Sequence, residues 1–280
     1  MPKEEFELVV VDDGSTEDIK AVLKPYIGKM NMRYIRIDHT KHPIWRELNP
    51  DGIEVEWYHT QAITANIGIK KSEGDVCCIS QPEMLHCPTN FEVGYSFARA
   101  QNKQAFSEIV YATDRFNEWV DTHKSWSRLH YDALLSEANS HGKEYEIQYP
   151  DQEMYWYIQF FPKLPAIQIG GVDEEYLRGV YAEDDNFKAR LRMDGYPETY
   201  LGRMHPNNTA IGRIVGIHQS HRDEGRLYKK QDRDGAMWDK GQRINRERWA
   251  AWCREPNALA NQGKDWGNLD FVVEEKYYAI

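Results

Sequence analysis

At 280 residues, with 41% hydrophobic and 29% charged side chains, the chain has the composition of a folded globular protein with a large core, and two full domains would be cramped. A formal charge of −10 at neutral pH argues against broad binding to a nucleic-acid backbone. Cys77, Cys78, Cys87 and Cys253 stand at no zinc-binding spacing, no apolar run reaches the ~18 residues of a membrane helix, and the opening MPKEEFELVVVDD lacks a signal-peptide layout; reduced thiols in a soluble, cytoplasmic protein are the expectation.

Phe6–Val11 is a continuous apolar, β-branched run that stops at Asp12-Asp13-Gly14-Ser15, and a helical pattern follows from Glu17 to about Met30. This predicts strand, tight turn and helix, with the strand buried on both faces. Met32–Ile37 reads as the next strand. His39–Trp57, rich in Pro, His and Trp without a clear period, reads as an ordered loop. His59–Lys71 predicts a helix closed near Gly74, and Asp75–Ser80 a fully buried strand. The chain leaves that strand at Gln81-Pro82-Glu83, because Pro82 cannot continue a central strand; in open α/β sheets such carboxyl ends bind ligands.

Asn90–Ala100 predicts a helix, Glu108–Thr113 a strand and Lys124–Ala138 a helix. From Tyr145 to Phe161 runs a dense aromatic set that includes Trp156 and Tyr157, residue types that pack a core as readily as they face a sugar ring. Ile167–Ile169 reads as a strand leading into Gly170–Tyr196. There Phe187, Leu191 and Met193 alternate with Lys188, Arg190 and Arg192, which predicts an apolar stripe with basic flanks on a helix ending near Gly195. Asp184 or Asp185 falls at its start, where acidic side chains cap free amides. Pro197–Leu201 and Ile214–His218 read as strands. The charged tail beyond Arg222, punctuated by Trp238, Trp249, Trp252 and Trp266, predicts amphipathic helices folded back on the domain.

Four segments, FELVVVDDGSTED, TANIGIKKSEGDVCCISQPEML, GGVDEEYLRGVYAEDD and IHQSH, occur in this order between Phe6 and His221. Together they resemble the family 2 glycosyltransferases and related inverting enzymes of the GT-A fold. The resemblance implies an α/β domain over residues 1–221, with a mixed, mostly parallel sheet flanked by helices, followed by a Trp-rich helical extension over 222–280. It also implies transfer of a sugar from a UDP-linked donor to a hydroxyl of a glycan or other acceptor. Asp12 or Asp13 would contact the base, with Asn66 also on the nucleotide. Asp184, with Glu183 before it, matches the catalytic base, and attack by a sugar hydroxyl needs such a carboxylate. Glu83, His221 and, behind it, His218 would hold a divalent metal, manganese in preference to magnesium because imidazole suits it better. Asp173 and Glu174 would line the acceptor side, together with Trp156 and Tyr157.

Two departures from the family pattern stand out. Gln81-Pro82-Glu83 occupies the place of the Asp-x-Asp metal motif, which implies weaker or water-mediated metal binding. Family members also begin with another strand and helix, where only Met1–Glu5 precede Phe6 here; a missing N-terminal segment, the C-terminal tail or another subunit would fill that sheet position. These departures favour an alternative, a catalytically silent GT-A domain that binds glycan or scaffolds an assembly. A transferase acting on modified nucleic-acid bases is a second alternative, which the acidic charge disfavours.

Overall fold

The computed structural model describes residues 5–52, 60–86, 89–111, 158–201, 215–218 and 236–280. In chain order these form β1 (Glu7–Asp12), α1 (Ile19–Leu23), β2 (Asn31–Ile37), α2 (Pro43–Leu48), α3 (Gln61–Lys71) and β3 (Val76–Ser80). Next come β4 (Met84–His86), α4 (Asn90–Gln101), β5 (Gln104–Phe106), β6 (Glu108–Tyr111) and β7 (Ile158–Pro162). The remainder is α5 (Lys163–Gln168), α6 (Glu183–Met193), β8 (Glu198–Tyr200), β9 (Val215–His218), α7 (Ala236–Arg254) and β10 (Val272–Tyr278). The architecture is mixed α/β. It divides into two compact units, one of Met1–Cys77, Lys163–Gly195 and Asp234–Ile280, the other of Cys78–Pro162 and Tyr196–Arg233. Among the described residues no helix is long and apolar enough to cross a membrane.

In the first unit β1 and β2 pair in parallel, Glu7 with Asn31 through Asp12 with Arg36, and β10 runs antiparallel along the other side of β2. Met32 and Tyr34 pack with Leu8, Val10, Ile19 and Leu23 on one face of β2, while Ile35 and Ile37 are buried on the opposite one, as the two-residue period of a strand requires. The helix expected to reach Met30 stops at Leu23, since Pro25 has no N–H to offer the preceding turn, and Lys24–Tyr26 tightens into a 3-10 turn. The expected loop after His39 contains α2 instead. Its start is set by Pro43 at the first helical position and by the His42 ring, whose Nδ1 accepts from the Ile44 amide at 3.2 Å.

Ile167–Ile169, read as a strand, is the end of α5 and the turn after it. A three-residue apolar run does not distinguish the two states, and Pro165 in the first turn of a helix removes no internal hydrogen bond. Among the described residues of the tail, 236–280, there are one long helix and a strand. The tail is sewn to the unit at Gly179, where an added Cβ would lie 2.2 Å from the Gly241 carbonyl oxygen of α7.

The second unit holds the last three residues of β3 and two small sheets, ordered β3-β7-β5-β8 and β4-β9-β6. β5 is antiparallel to β7 and parallel to β8, and β9 is antiparallel to β4 and parallel to β6. β3 is only partly buried, against the expectation of a fully buried strand. Phe160 and Phe161 of β7 are core, with Phe91 of α4 edge-on to Phe160 at 5.9 Å. The rest of the predicted aromatic segment and the predicted helix Lys124–Ala138 lie outside the described residues.

Gly179→Ala is expected to lower stability by about 1–3 kcal/mol, because backbone rather than a yielding side chain blocks the new methyl group. Urea unfolding reads this as a lower midpoint; an unchanged midpoint would contradict the contact.

Candidate functional site

The segment after α5 turns on two glycines in the left-handed region, Gly170 at φ +83° and Gly171 at φ +68°. A Cβ at Gly170 would sit 2.3 Å from the Ala260 carbonyl oxygen, and one at Gly171 would sit 2.5 Å from Asn66 Oδ1. The approach is that close because the turn is bound on two sides by side-chain amides. Asn66 of α3 accepts from the Val172 amide at 2.7 Å and donates to the Val172 carbonyl at 2.9 Å. Asn261 of the tail donates to the carbonyls of Gly170 and Val172 and accepts from the Glu174 amide.

Glu174 completes this arrangement as a buried carboxylate. Its Oε1 accepts from Asn66 Nδ2 at 3.0 Å and from the Gly267 amide at 2.6 Å, and its Oε2 faces His42 Nε2 at 3.3 Å. Because His42 Nδ1 accepts from Ile44, a proton on Nε2 is the one that serves both contacts. Asn66 and Glu174, expected on nucleotide and acceptor, are thus placed in a buried lock. His42 and Asn261, which the sequence reading passed over, belong to it. Asp173 caps the 3-10 turn Glu174–Arg178 through the Glu175 amide at 3.0 Å.

The turn leads into the acidic start of α6. Tyr181 and Ala182 have φ of 100° and 68°, a conformation that costs non-glycine residues about 1–3 kcal/mol each. Ala182 stands at the N-cap with no side-chain bond, so neither Asp184 nor Asp185 is the cap. Instead Glu183, Asp184 and Asp185 are all buried in the first turn. Asp184 Oδ1 accepts from the Asp185 amide at 2.8 Å, and Asp185 pairs with Lys188. Burial, then the charges of Glu183 and Asp185, push the Asp184 carboxyl well above the usual range.

Arg190, expected on a basic flank, is buried at 1% exposure. Its Nε donates to Asn186 Oδ1 at 2.7 Å, and its Nη atoms donate to the carbonyls of Ile169 and Gly171 at 3.1 and 2.7 Å, so it clamps α6 to the glycine turn. Burial lowers its pKa to about 10, which leaves it charged at neutral pH.

At the carboxyl end of β1, Asp12 is saturated: Oδ1 accepts from the Ser15 amide at 2.8 Å and Oδ2 from the Tyr34 hydroxyl at 2.6 Å. Burial alone would raise its pKa, but these hydrogen bonds and the Arg36 charge bring it below the ordinary value. Tyr34, buried and bonded to that carboxylate, is pushed up to about 12. Asp13 is partly exposed and pairs with His39 Nδ1 at 2.7 Å.

In the second unit the register that sets Met84 opposite His218 brings Glu83 Oε1 within 3.3 Å of His218 Nε2. The two predicted metal ligands described here therefore meet, as a carboxylate and an imidazole. His221, Trp156 and Tyr157 lie outside the described residues. Among the described residues no three His, Cys, Asp or Glu side chains come together as a metal-binding group. Nearby, His86 is held neutral by burial, which lowers its pKa to about 4, and its Nε2 lies 2.9 Å from Ser80 Oγ. No protein-family model and no curated protein matches this chain.

Two outcomes are expected. Glu174→Ala, which strands the Asn66 amide, the Gly267 N–H and the His42 ring, lowers unfolding free energy by roughly 3–5 kcal/mol in denaturant titrations. For Asp184 the folded pKa exceeds the unfolded one, so the folded chain binds the extra proton and its stability falls as pH rises between the two values. The stability of Asp184→Asn relative to the parent therefore grows as pH rises above about 4. A difference independent of pH between about 4 and 8 would refute the shift.

Proposed function

We propose that this chain is an inverting glycosyltransferase of the GT-A type, moving a sugar from a UDP-linked donor to a hydroxyl acceptor. The observation that carries the reading is Asp184. It is a buried carboxyl raised above its usual range, two residues beyond Ala182, the second of two strained non-glycine residues, and such combinations concentrate at functional sites. A raised pKa is also what general-base work near neutral pH requires. The GT-A assignment is supported by the succession of parallel β1 and β2, α3, and β3 ending at Gln81-Pro82-Glu83.

In this reading the acceptor hydroxyl gives its proton to Asp184 as its oxygen bonds to the anomeric carbon. The bond from that carbon to the diphosphate breaks, and UDP leaves with the electron pair. One displacement inverts the anomeric configuration. The charge of Glu183 raises the proton affinity of Asp184, which makes its ionised form the stronger base. Asp13, partly exposed, is better placed than the saturated Asp12 to meet a nucleotide base. Glu83 and His218 are the residues that would hold a divalent cation, whose contribution is to neutralise charge on the leaving diphosphate. An adjacent carboxylate and imidazole would suit manganese.

The glycan-binding alternative is favoured by one feature: Glu83 stands beside a histidine and next in sequence to Gln81-Pro82, so a single carboxylate serves where the family motif has two. The full chain, incubated with manganese and a panel of UDP-sugars, is expected to release UDP when an acceptor is added. Asp184→Asn is expected to lower the rate by about 10²–10⁴-fold. Turnover that survives the substitution refutes Asp184 as the base, and absence of turnover with every donor refutes transfer.

A further inference from the structure

Arg190 of α6 is a charge kept where a folded chain seldom keeps one. Its guanidinium is buried and donates to three neutral oxygens, Oδ1 of Asn186 and the carbonyls of Ile169 and Gly171; none of its hydrogen-bond partners is a carboxylate. Burial lowers its pKa to about 10 against the opposing charge of Asp173. An apolar side chain of similar volume would avoid that desolvation, so stability alone does not account for an arginine here.

What the arginine supplies, and an apolar residue does not, is direction. Phe187, Ala189 and Leu191 bury the same helix by apolar contact, which tolerates small slides and rotations. A planar guanidinium held by three fixed acceptors does not. Two of those acceptors belong to the turn that Asn66 and Asn261 already grip, so the fork carries the turn's rigidity into α6. The third, Asn186, donates its amide to the Ala182 carbonyl at 2.9 Å, and Asp184 stands between these two residues. Tyr181 and Ala182, at φ 100° and 68°, keep such conformations only where their neighbours over-determine them. The charges that act most strongly on Asp184 are those of Glu183, Asp185 and Lys188 on its own helix, so the part left to Arg190 is geometric.

We infer that Arg190 is the positioning residue for Asp184: by fixing α6 to the glycine turn it holds the Asp184 carboxyl in its buried place. Its kinetic consequence rests on the transferase reading, whereas the placement of the carboxyl is testable without turnover. The first readout is carboxyl titration by NMR of the full chain labelled with carbon-13 aspartate, in which Asp184→Asn identifies the Asp184 signal. Arg190→Lys keeps the charge and loses the fork. It is expected to admit water to the first turn of α6 and to bring the Asp184 titration down by about one pH unit or more, toward the ordinary aspartate range. Leu191→Val, a packing change on the same helix, is expected to lower the thermal midpoint and leave that titration in place. An Asp184 titration unmoved in folded Arg190→Lys overturns the inference, and so does an equal movement in both variants, which assigns the arginine to packing alone. If Arg190→Lys does not fold, Asn186→Ala, which removes only the Nε acceptor, decides in its place: a downward movement supports the inference and no movement overturns it.

The second readout is kinetic. With a UDP-sugar that the parent turns over, Arg190→Lys is expected to lower kcat about 10²-fold with KM within about twofold of the parent, since a displaced base leaves substrate binding alone. An unchanged kcat overturns the inference. No turnover in the parent, together with a lowered Asp184 titration in Arg190→Lys, counts against the transferase reading alone. Turnover with neither titration nor kcat moved counts against this inference alone.

Discussion

The first unit is organised by the Glu174 carboxylate. A buried carboxylate is tolerable only when its oxygens are met by donors, and Glu174 gathers three from distant parts of the chain: the Asn66 amide, the Gly267 N–H and the His42 ring. Those partners sit on α3, on the tail loop and at the head of α2. Each element is therefore positioned by a requirement for hydrogen bonding, which is directional, as well as by apolar burial, which is not. The glycine turn follows from the same constraint, since Asn66 and Asn261 can grip its carbonyls only where no Cβ intervenes.

The acidic start of α6 inherits its geometry from this lock. Arg190 ties the helix to the carbonyls of Ile169 and Gly171, so a rigid turn fixes where the first helical residues begin. Tyr181 and Ala182 join the turn to the helix in positive-φ conformations, and Arg246 of α7 lies 5.1 Å from the centre of the Tyr181 ring. Three carboxylates in one buried turn repel one another. Lys188 pairs with Asp185, while burial and then the charges of Glu183 and Asp185 raise the pKa of Asp184 above its usual range. A helix N-terminus ordinarily favours ionised acids; here desolvation outweighs that preference.

What the sequence made legible was whatever rested on local period: β1, β2, α3, α4 and β9 appear close to where apolar spacing predicts them. The failures share a cause. α2 is set by a histidine ring and a proline rather than by periodicity, and β4 and β5 are three residues long, too short to show a period. β10 reads VVEEKYY, a charged edge sequence whose strand character comes from pairing with β2. Arg190 looked like a surface cation because its carbonyl partners lie about twenty residues away. Of the candidate site, residue types and order were visible. The contacts of these side chains were not: Asn66 and Glu174 share a buried hydrogen-bond network, Asp12 accepts from Tyr34 and Ser15, Asp184 is raised above its usual range, Asp13 pairs with His39 and Glu83 meets His218.

The sheet of the first unit shows why the carboxyl end of β1 can keep its shape without further pairing. β10 adds to the outer side of β2, where Lys20–Glu274, Arg33–Glu275 and Lys71–Glu275 pairs line its edge. Exposed ion pairs contribute little stability, but charges along an edge discourage another strand from adding there. β1 has one strand neighbour among the described residues, β2, so an expected extra strand beside β1 is not what the tail provides. The Asp12 carboxylate is nevertheless fixed, because its donors are Tyr34 of β2 and Ser15 of its own turn. Asp13 and His39, which follow β1 and β2 respectively, are brought together by the parallel register of those two strands alone. The position of Asp13 within this unit therefore depends on β2 and on the Asp12–Ser15 turn.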